Sequence, residues 1–252
     1  MLRTVLIPAA LAFGLVATPA LASGGAPLTK QSWSWDGVFG AYDQAQLKRG
    51  FQVFHEVCSN CHGLKLVAYR NLKVIGLSEE EAKAVAGERE VKDGPNDEGE
   101  MFNRPGKLSD HYIPPFANDQ AARVSNNGAL PPDLSLITKA RVGGPDYVYS
   151  LLMGYADTPE GFTLNDGMNY NKIFAGNQIG MAPPISDDLV TYADGTKASA
   201  DQIAKDVVSF LNWAAEPEMD ARKGMGLKVM LFLLVLTGLF YALKRKIWAD
   251  VH

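Results

Sequence analysis

Five consecutive residues carry the clearest chemistry in the chain: Cys58-Ser59-Asn60-Cys61-His62. A C-x-x-C-H run is the attachment pattern for c-type haem. Two thiols about one turn apart can add to the two haem vinyl groups as thioethers, and the imidazole that follows is then held under the iron as its proximal ligand. The dithiol by itself also fits a redox pair or half of a zinc site. A thioredoxin-like site wants a βαβ setting, which the sequence pattern does not offer. A zinc site wants two more ligands, but there is no third cysteine, and His55, His111 and His252 stand at no suitable spacing. One covalently attached haem c is therefore the expected cofactor, and it uses both cysteines.

The sixth iron position is less local. Met181 sits in Gly180-Met181-Ala182-Pro183-Pro184, where two prolines stiffen the loop just after the thioether. Met101, Met153, Met168 and Met219 are its rivals. Met153 reads as a helix-packing residue and Met219 as part of a linker. A methionine is more often packing than ligand, so residue type and position alone leave this choice open.

Few elements are available to position these groups. Apolar residues at Leu47, Phe51 and Phe54 follow a helical period from about Asp43 to Val57, with Asp43 as cap. That helix leads into the cysteine motif, so Phe51 and Phe54 are expected at the haem edge. Ser78-Glu79-Glu80-Glu81 is a capping box. Gly144-Pro145-Asp146 opens another helix, and Ala200–Ala214 is strongly amphipathic through Ile203, Val207, Phe210, Leu211 and Ala214. Residues 93–135 and 154–198 are rich in turn formers and show no strand alternation. A few helices and long loops bury little core by themselves; an apolar cofactor at the centre would organise them. The expected fold is mainly α.

The two ends differ from the middle. Residues 1–22 have one early base, Arg3, an apolar stretch and Ala20-Leu21-Ala22, the pattern of a secretory signal cleaved after Ala22. An uncleaved N-terminal anchor is the weaker reading. Residues 225–243 are apolar except for Lys228, and Lys244, Arg245 and Lys246 follow. Such a helix spans about 28 Å, and the basic stop belongs on the cytoplasmic side. The division is a leader at 1–22, an exported haem-binding domain at 23–220, and a membrane anchor with a short cytoplasmic tail at 221–252.

The 252 residues are 47% hydrophobic and 21% charged, with a mean hydropathy of −0.06. These values exclude a mainly disordered chain and a polytopic membrane protein. Net charge is −4, and with one base in the leader and a surplus of five in residues 221–252, residues 23–220 carry −10. That balance argues against a nucleic-acid partner and favours a basic protein partner.

Together these residues resemble the cytochrome c1 family, the haem subunit of ubiquinol–cytochrome c oxidoreductase. The resemblance runs through Trp33 to Gly40, the Cys58–His62 motif, Asn126-Asn127-Gly128-Ala129-Leu130-Pro131-Pro132-Asp133-Leu134-Ser135, Ala140-Arg141-Val142-Gly143-Gly144, Asp146-Tyr147-Val148, Gly180-Met181-Ala182-Pro183-Pro184-Ile185 and Trp213-Ala214-Ala215-Glu216-Pro217-Glu218. It extends into the final anchor, at Met225-Gly226-Leu227-Lys228 and Tyr241 to Arg245.

The resemblance implies a class I c-type cytochrome-like haem domain with one C-terminal transmembrane helix. In it Cys58 and Cys61 carry the thioethers, His62 and Met181 are the axial ligands, Arg141 pairs with a haem propionate, and Tyr147, Pro131 and Pro132 line the pocket. It implies one-electron transfer from a Rieske iron–sulfur protein to a soluble c-type cytochrome, beside cytochrome b, in a dimeric complex. It places the chain in the bacterial inner membrane among lipid, haem domain periplasmic and C-terminus cytoplasmic. Some bacterial members carry an additional disulfide and some relatives a long acidic N-terminal insertion; this chain has neither. No catalytic side chains are assigned. A membrane-anchored cytochrome serving another oxidase or reductase is the alternative; a haem peroxidase would need a vacant axial site.

Overall fold

The computed structural model describes residues 26–250; the expected leader lies outside the described residues. Two long helices form the centre. The first, α1, spans Gln44–Glu56, and Asp43 caps it as expected: its Oδ1 accepts from the backbone N–H groups of Ala45 at 2.9 Å and Gln46 at 3.2 Å. Helix α2, Glu79–Gly87, opens on the expected reciprocal box, with Ser78 Oγ accepting from Glu81 N at 3.0 Å and Glu81 Oε2 from Ser78 N at 2.6 Å. Then come α3, Asp119–Ser125, the single-turn α4, Ile137–Ala140, and α5, Gly144–Met153. Helix α6 covers Ala200–Ala215, and its predicted apolar face is buried throughout. Helix α7, Met219–Ile247, ends the described chain.

Helices α1 and α6 cross at Gly50. A Cβ on Gly50 would sit 1.9 Å from the Asp206 carbonyl oxygen and 2.8 Å from Phe210 Cβ. Only a residue without a side chain permits this approach. Arg49, one residue earlier, reaches the fully buried Asp206 carboxylate at 2.9 Å and Asp194 at 2.7 Å. Burial disfavours the guanidinium charge, but these hydrogen bonds outweigh it and raise the Arg49 pKa above its ordinary value. Phe51, Phe54, Phe210 and Trp213 pack as an aromatic cluster over the crossing.

The loop-rich segments contain more order than their composition shows. Among the described residues there are three two-stranded antiparallel ribbons: β1, Leu64–Ala68, with β4, His111–Tyr112; β2, Glu90–Asp93, with β3, Phe102–Pro105; and β5, Asn169–Tyr170, with β6, Gln178–Ile179. Several strands are two residues long, too short to show an alternating pattern. The N-terminal arm straps α5: Trp33 Nε1 donates to Asp146 Oδ1 at 2.9 Å, and Thr29 N donates to Ser150 Oγ at 2.9 Å.

Helix α7 is long and apolar enough to cross a membrane, with a mean hydropathy of 2.1 over its best window. It begins earlier than the apolar run. Met219, expected in a linker, is its first residue and is buried. The helix is therefore continuous across position 220.

Candidate haem site

The cysteine motif continues directly from α1. Asn60 Nδ2 donates to the Glu56 carbonyl at 3.0 Å and Ser59 Oγ to the His55 carbonyl at 2.7 Å, tying the motif to the last helical turn. The backbone then closes on itself, with the Cys61 and His62 N–H groups both donating to the Cys58 carbonyl at 3.1 and 2.9 Å. Both thiols are free, Cys61 exposed and Cys58 partly buried. Burial, with Cys61 close by, pushes the Cys58 thiol up to about 12.

The segment Pro131–Ser135 docks against the residues just after His62. Leu134 N donates to the Gly63 carbonyl at 2.9 Å, and Asp133 Oδ2 accepts from Lys65 N at 2.9 Å. This docking brings the Pro132 carbonyl to His62 Nδ1 at 2.8 Å. A carbonyl only accepts, so Nδ1 carries the proton and Nε2 keeps a bare lone pair. Burial lowers the His62 pKa, against the opposing pull of the Pro132 carbonyl and Asp133. The ring is thus neutral, oriented, and in the tautomer that binds a metal through Nε2.

Cys58, Cys61 and His62 border a cavity of about 430 Å³. Its walls are mostly aliphatic: Val57 from the end of α1, Leu130 and Leu134 from the docked segment, Ile137 from α4, Val148, Leu151 and Leu152 from α5, Val207 and Leu211 from α6. Folded interiors hold few voids larger than a water molecule. An apolar space of this size, edged by two thiols, an oriented imidazole and a thioether, fits a haem. The chemistry of the donor set also counts against zinc: among the described residues no group of three or more His, Cys, Asp or Glu side chains gathers as a metal site.

Met181 lines the same cavity, whereas Met101, Met153, Met168 and Met219 do not. Its loop is held from two sides. The Tyr155 hydroxyl, just past α5, donates to the Met181 carbonyl at 3.0 Å, and Asn169 Nδ2 on β5 approaches it at 3.4 Å. Burial raises the Tyr155 pKa, so this hydroxyl stays a donor. Gly180 allows the loop to approach closely, since a Cβ there would stand 3.0 Å from Ala129 Cβ.

Pro131, Pro132, Tyr147 and Arg141 all border the cavity as well. Arg141 is exposed at its rim and donates to the Ala140 carbonyl at 3.2 Å, and among the described residues it makes no ion pair with a carboxylate. All eight residues singled out in the sequence are thus gathered at one place. Phe51 and Phe54 are not. They face the α1–α6 crossing, where Phe51 packs on His55 and Phe210 and Phe54 on Tyr112 and Phe210. The helical period marks a buried face without saying what lies opposite, and here it is another helix. Tyr155, Asn169 and the Pro132 carbonyl act here through contacts between distant segments, for which sequence spacing gives no signal.

A mostly helical domain built round an apolar cavity with a C-x-x-C-H edge, followed by a single membrane-length helix, defines an anchored c-type cytochrome. Comparison with known proteins is specific. The Cytochrome C1 family matches residues 33–251. Cytochrome c1 of Rhodospirillum rubrum is 57% identical over 244 residues, covering 90% of each chain. A mitochondrial cytochrome c1 haem protein of Arabidopsis thaliana is 51% identical over 237 residues, covering 94% of this chain and 77% of the relative. Cytochrome b/c1 of Bradyrhizobium diazoefficiens is 47% identical over 242 residues, 87% of this chain and 35% of that longer protein. A solved chain of a hyperthermophilic respiratory Complex III, 18% identical with a TM-score of 0.39 over 87% of this chain and 81% of that one, is too distant to add to the assignment.

The chain belongs to the cytochrome c1 family. It is a membrane-anchored haem protein and an electron carrier of the cytochrome bc1 complex, working with cytochrome b and the Rieske protein.

Proposed function

We propose that this chain holds one haem c, joined by thioethers to Cys58 and Cys61 and ligated axially by His62 and Met181, and that it passes single electrons to a soluble c-type cytochrome. The observation that carries the reading is the imidazole of His62, fixed by the Pro132 carbonyl in its ligating tautomer at the edge of the cavity that also receives Met181. When bound, the haem supplies a one-electron Fe(III)/Fe(II) couple. The chain's residues tune it. A thioether ligand favours a high potential, the aliphatic walls exclude water, and Arg141 offers a guanidinium to a propionate. With His62 and Met181 holding the iron from both sides, no position would remain for peroxide or oxygen.

The domain limits follow from the same reading: a cleaved leader at 1–22, a haem domain on the periplasmic side of the bacterial inner membrane, and an anchor from 221 whose Lys244, Arg245 and Lys246 face the cytoplasm. The acidic balance of residues 23–220 supports a basic acceptor, and the family resemblance implies a dimeric complex, for which a two-fold arrangement is the commonest form. The test of the cofactor is direct. The denatured protein retains one haem by mass and gives a c-type pyridine haemochrome; haem that extracts into acidic acetone would overturn the reading.

A further inference from the structure

The segment from Trp33 to Tyr42 forms a tight loop. Asp36 N donates to the Trp33 carbonyl at 3.0 Å, Asp36 Oδ2 accepts from Trp33 N at 2.9 Å, and Ala41 N donates to the Ser34 carbonyl at 3.1 Å. Gly40 closes it against backbone: a Cβ there would stand 2.2 Å from the Asp36 carbonyl oxygen. The base of the loop is buried, with Trp33 and Trp35 stacked at 4.9 Å. Its tip is not. Val38 is 71% exposed and Phe39 84% exposed. A rigid loop that ends in a bare aromatic ring and a bare valine presents apolar surface to something.

The occupant is set by what holds the loop. The Lys223 ammonium donates to the carbonyls of Trp35, Gly37 and Gly40, at 2.5, 2.8 and 2.9 Å. Tyr42 N donates to both Asp220 carboxylate oxygens at 3.3 Å. Lys223 and Asp220 lie in the first turns of α7. The apolar run of that helix starts two residues on, at Met225, about 3 Å further along the axis. Two of the three clamped carbonyls, those of Gly37 and Gly40, bracket Val38 and Phe39. The loop that carries the tip is therefore held beside the first turns of α7, next to the start of its apolar run. The carboxylates of Asp36 and Asp220 are already engaged by backbone N–H groups.

We propose that Val38 and Phe39 insert into the headgroup region of the leaflet on the haem side, as a second membrane contact beside α7. Lipid satisfies both the apolar tip and its position beside α7, as it does for other shallowly buried apolar groups. The inference rests on reading α7 as the membrane span.

The test uses the complete complex in vesicles of phosphatidylcholine and phosphatidylglycerol. Nitroxide labels are placed at Phe39→Cys and, separately, at Val38→Cys. Leu233→Cys within α7 and the exposed Val124→Cys on α3 serve as references. An unchanged haem spectrum certifies each variant as folded. The expected result is that labels at 38 and 39 are relaxed more by oxygen and less by a water-soluble nickel chelate than the label at 124, with values between those at 124 and 233. A label at 39 as accessible to the chelate as that at 124 overturns the inference. So does a label shielded from both relaxants, which means that a protein partner covers the tip. If position 233 itself is chelate-accessible, it is the reading of α7 that fails.

Discussion

Replacing Tyr155 by Phe removes one hydroxyl and leaves the ring. The hydroxyl is 3.0 Å from the Met181 carbonyl, and among the described residues the only other side-chain donor there, Asn169 Nδ2, is at the longer distance of 3.4 Å. A neutral hydrogen bond of this kind contributes about 1 kcal/mol net. Because it acts on the backbone of the residue proposed to offer its thioether to the iron, it acts only while the Gly180–Pro184 loop is closed. Its loss shifts the equilibrium between attached and released thioether by about fivefold, since 1.4 kcal/mol corresponds to tenfold. The assay is the sulfur-to-iron charge-transfer band of the oxidised form, followed with temperature, together with the midpoint potential. In Tyr155→Phe the band should fade at lower temperature than in the parent and the potential should fall slightly. Asn169→Ala, at the weaker contact, should do less. A global loss of stability of the same size, with band and potential unchanged, would show that the hydroxyl merely holds the fold and refute the reasoning.

The remaining predictions test other parts of the argument. Met181→Leu should abolish the charge-transfer band and lower the potential, whereas Met101→Leu and Met168→Leu, outside the cavity, should leave both intact. Gly50→Ala should destabilise the domain by about 2–3 kcal/mol, measured by urea denaturation, because the added Cβ meets the Asp206 carbonyl rather than a yielding side chain. Acid stability follows from Asp194, which the Thr196 N–H and then Arg49 hold down to about 2, below the unfolded value of 3.8. Its stabilising effect is complete above about pH 4 and is lost as pH falls toward 2, so the urea midpoint should drop over that window and drop less in Asp194→Asn. Finally, reduction of a basic acceptor should slow once salt shortens the screening length below about 8 Å. Glu79 and Glu81 are engaged by Lys73, Lys83 and Lys48, and Asp187 caps α6 through Ala200 N. Glu80→Lys and Asp188→Asn are therefore the substitutions that separate the two acidic clusters by stopped-flow rate without disturbing the fold.

The pattern of success follows the range of the interactions involved. Helices α1, α2 and α6 are legible because caps and a 3.6-residue period are local, and the Asp43 and Ser78 caps form as read. The ribbon β5–β6 is invisible in sequence because its register, Asn169 opposite Ile179 and Tyr170 opposite Gln178, depends on two positions per strand. The eight gathered site residues were legible for a different reason. Two thiols and an imidazole have few uses at that spacing, and the family resemblance pointed to the rest. What holds those residues was not. Tyr155 is 26 positions from the carbonyl it serves, and the Pro132 carbonyl is 70 positions from His62.

Those separations bear on how the protein is assembled. The cavity walls come from Val57 to His62, from Asn126 to Leu152, from Phe174 to Pro184, and from Val207 and Leu211. The pocket is therefore complete only when nearly the whole domain has been made, and such long-range closure is the slow kind. The cysteine motif is among the first parts to emerge. A haem tethered there early, as proposed, would no longer be captured from solution. It would be a neighbour of every later segment, at an effective concentration set by the chain itself, in the millimolar range for short flexible linkages. The cofactor would then serve as the nucleus on which distant segments condense, and closing the fold would no longer depend on the abundance of free haem in the compartment.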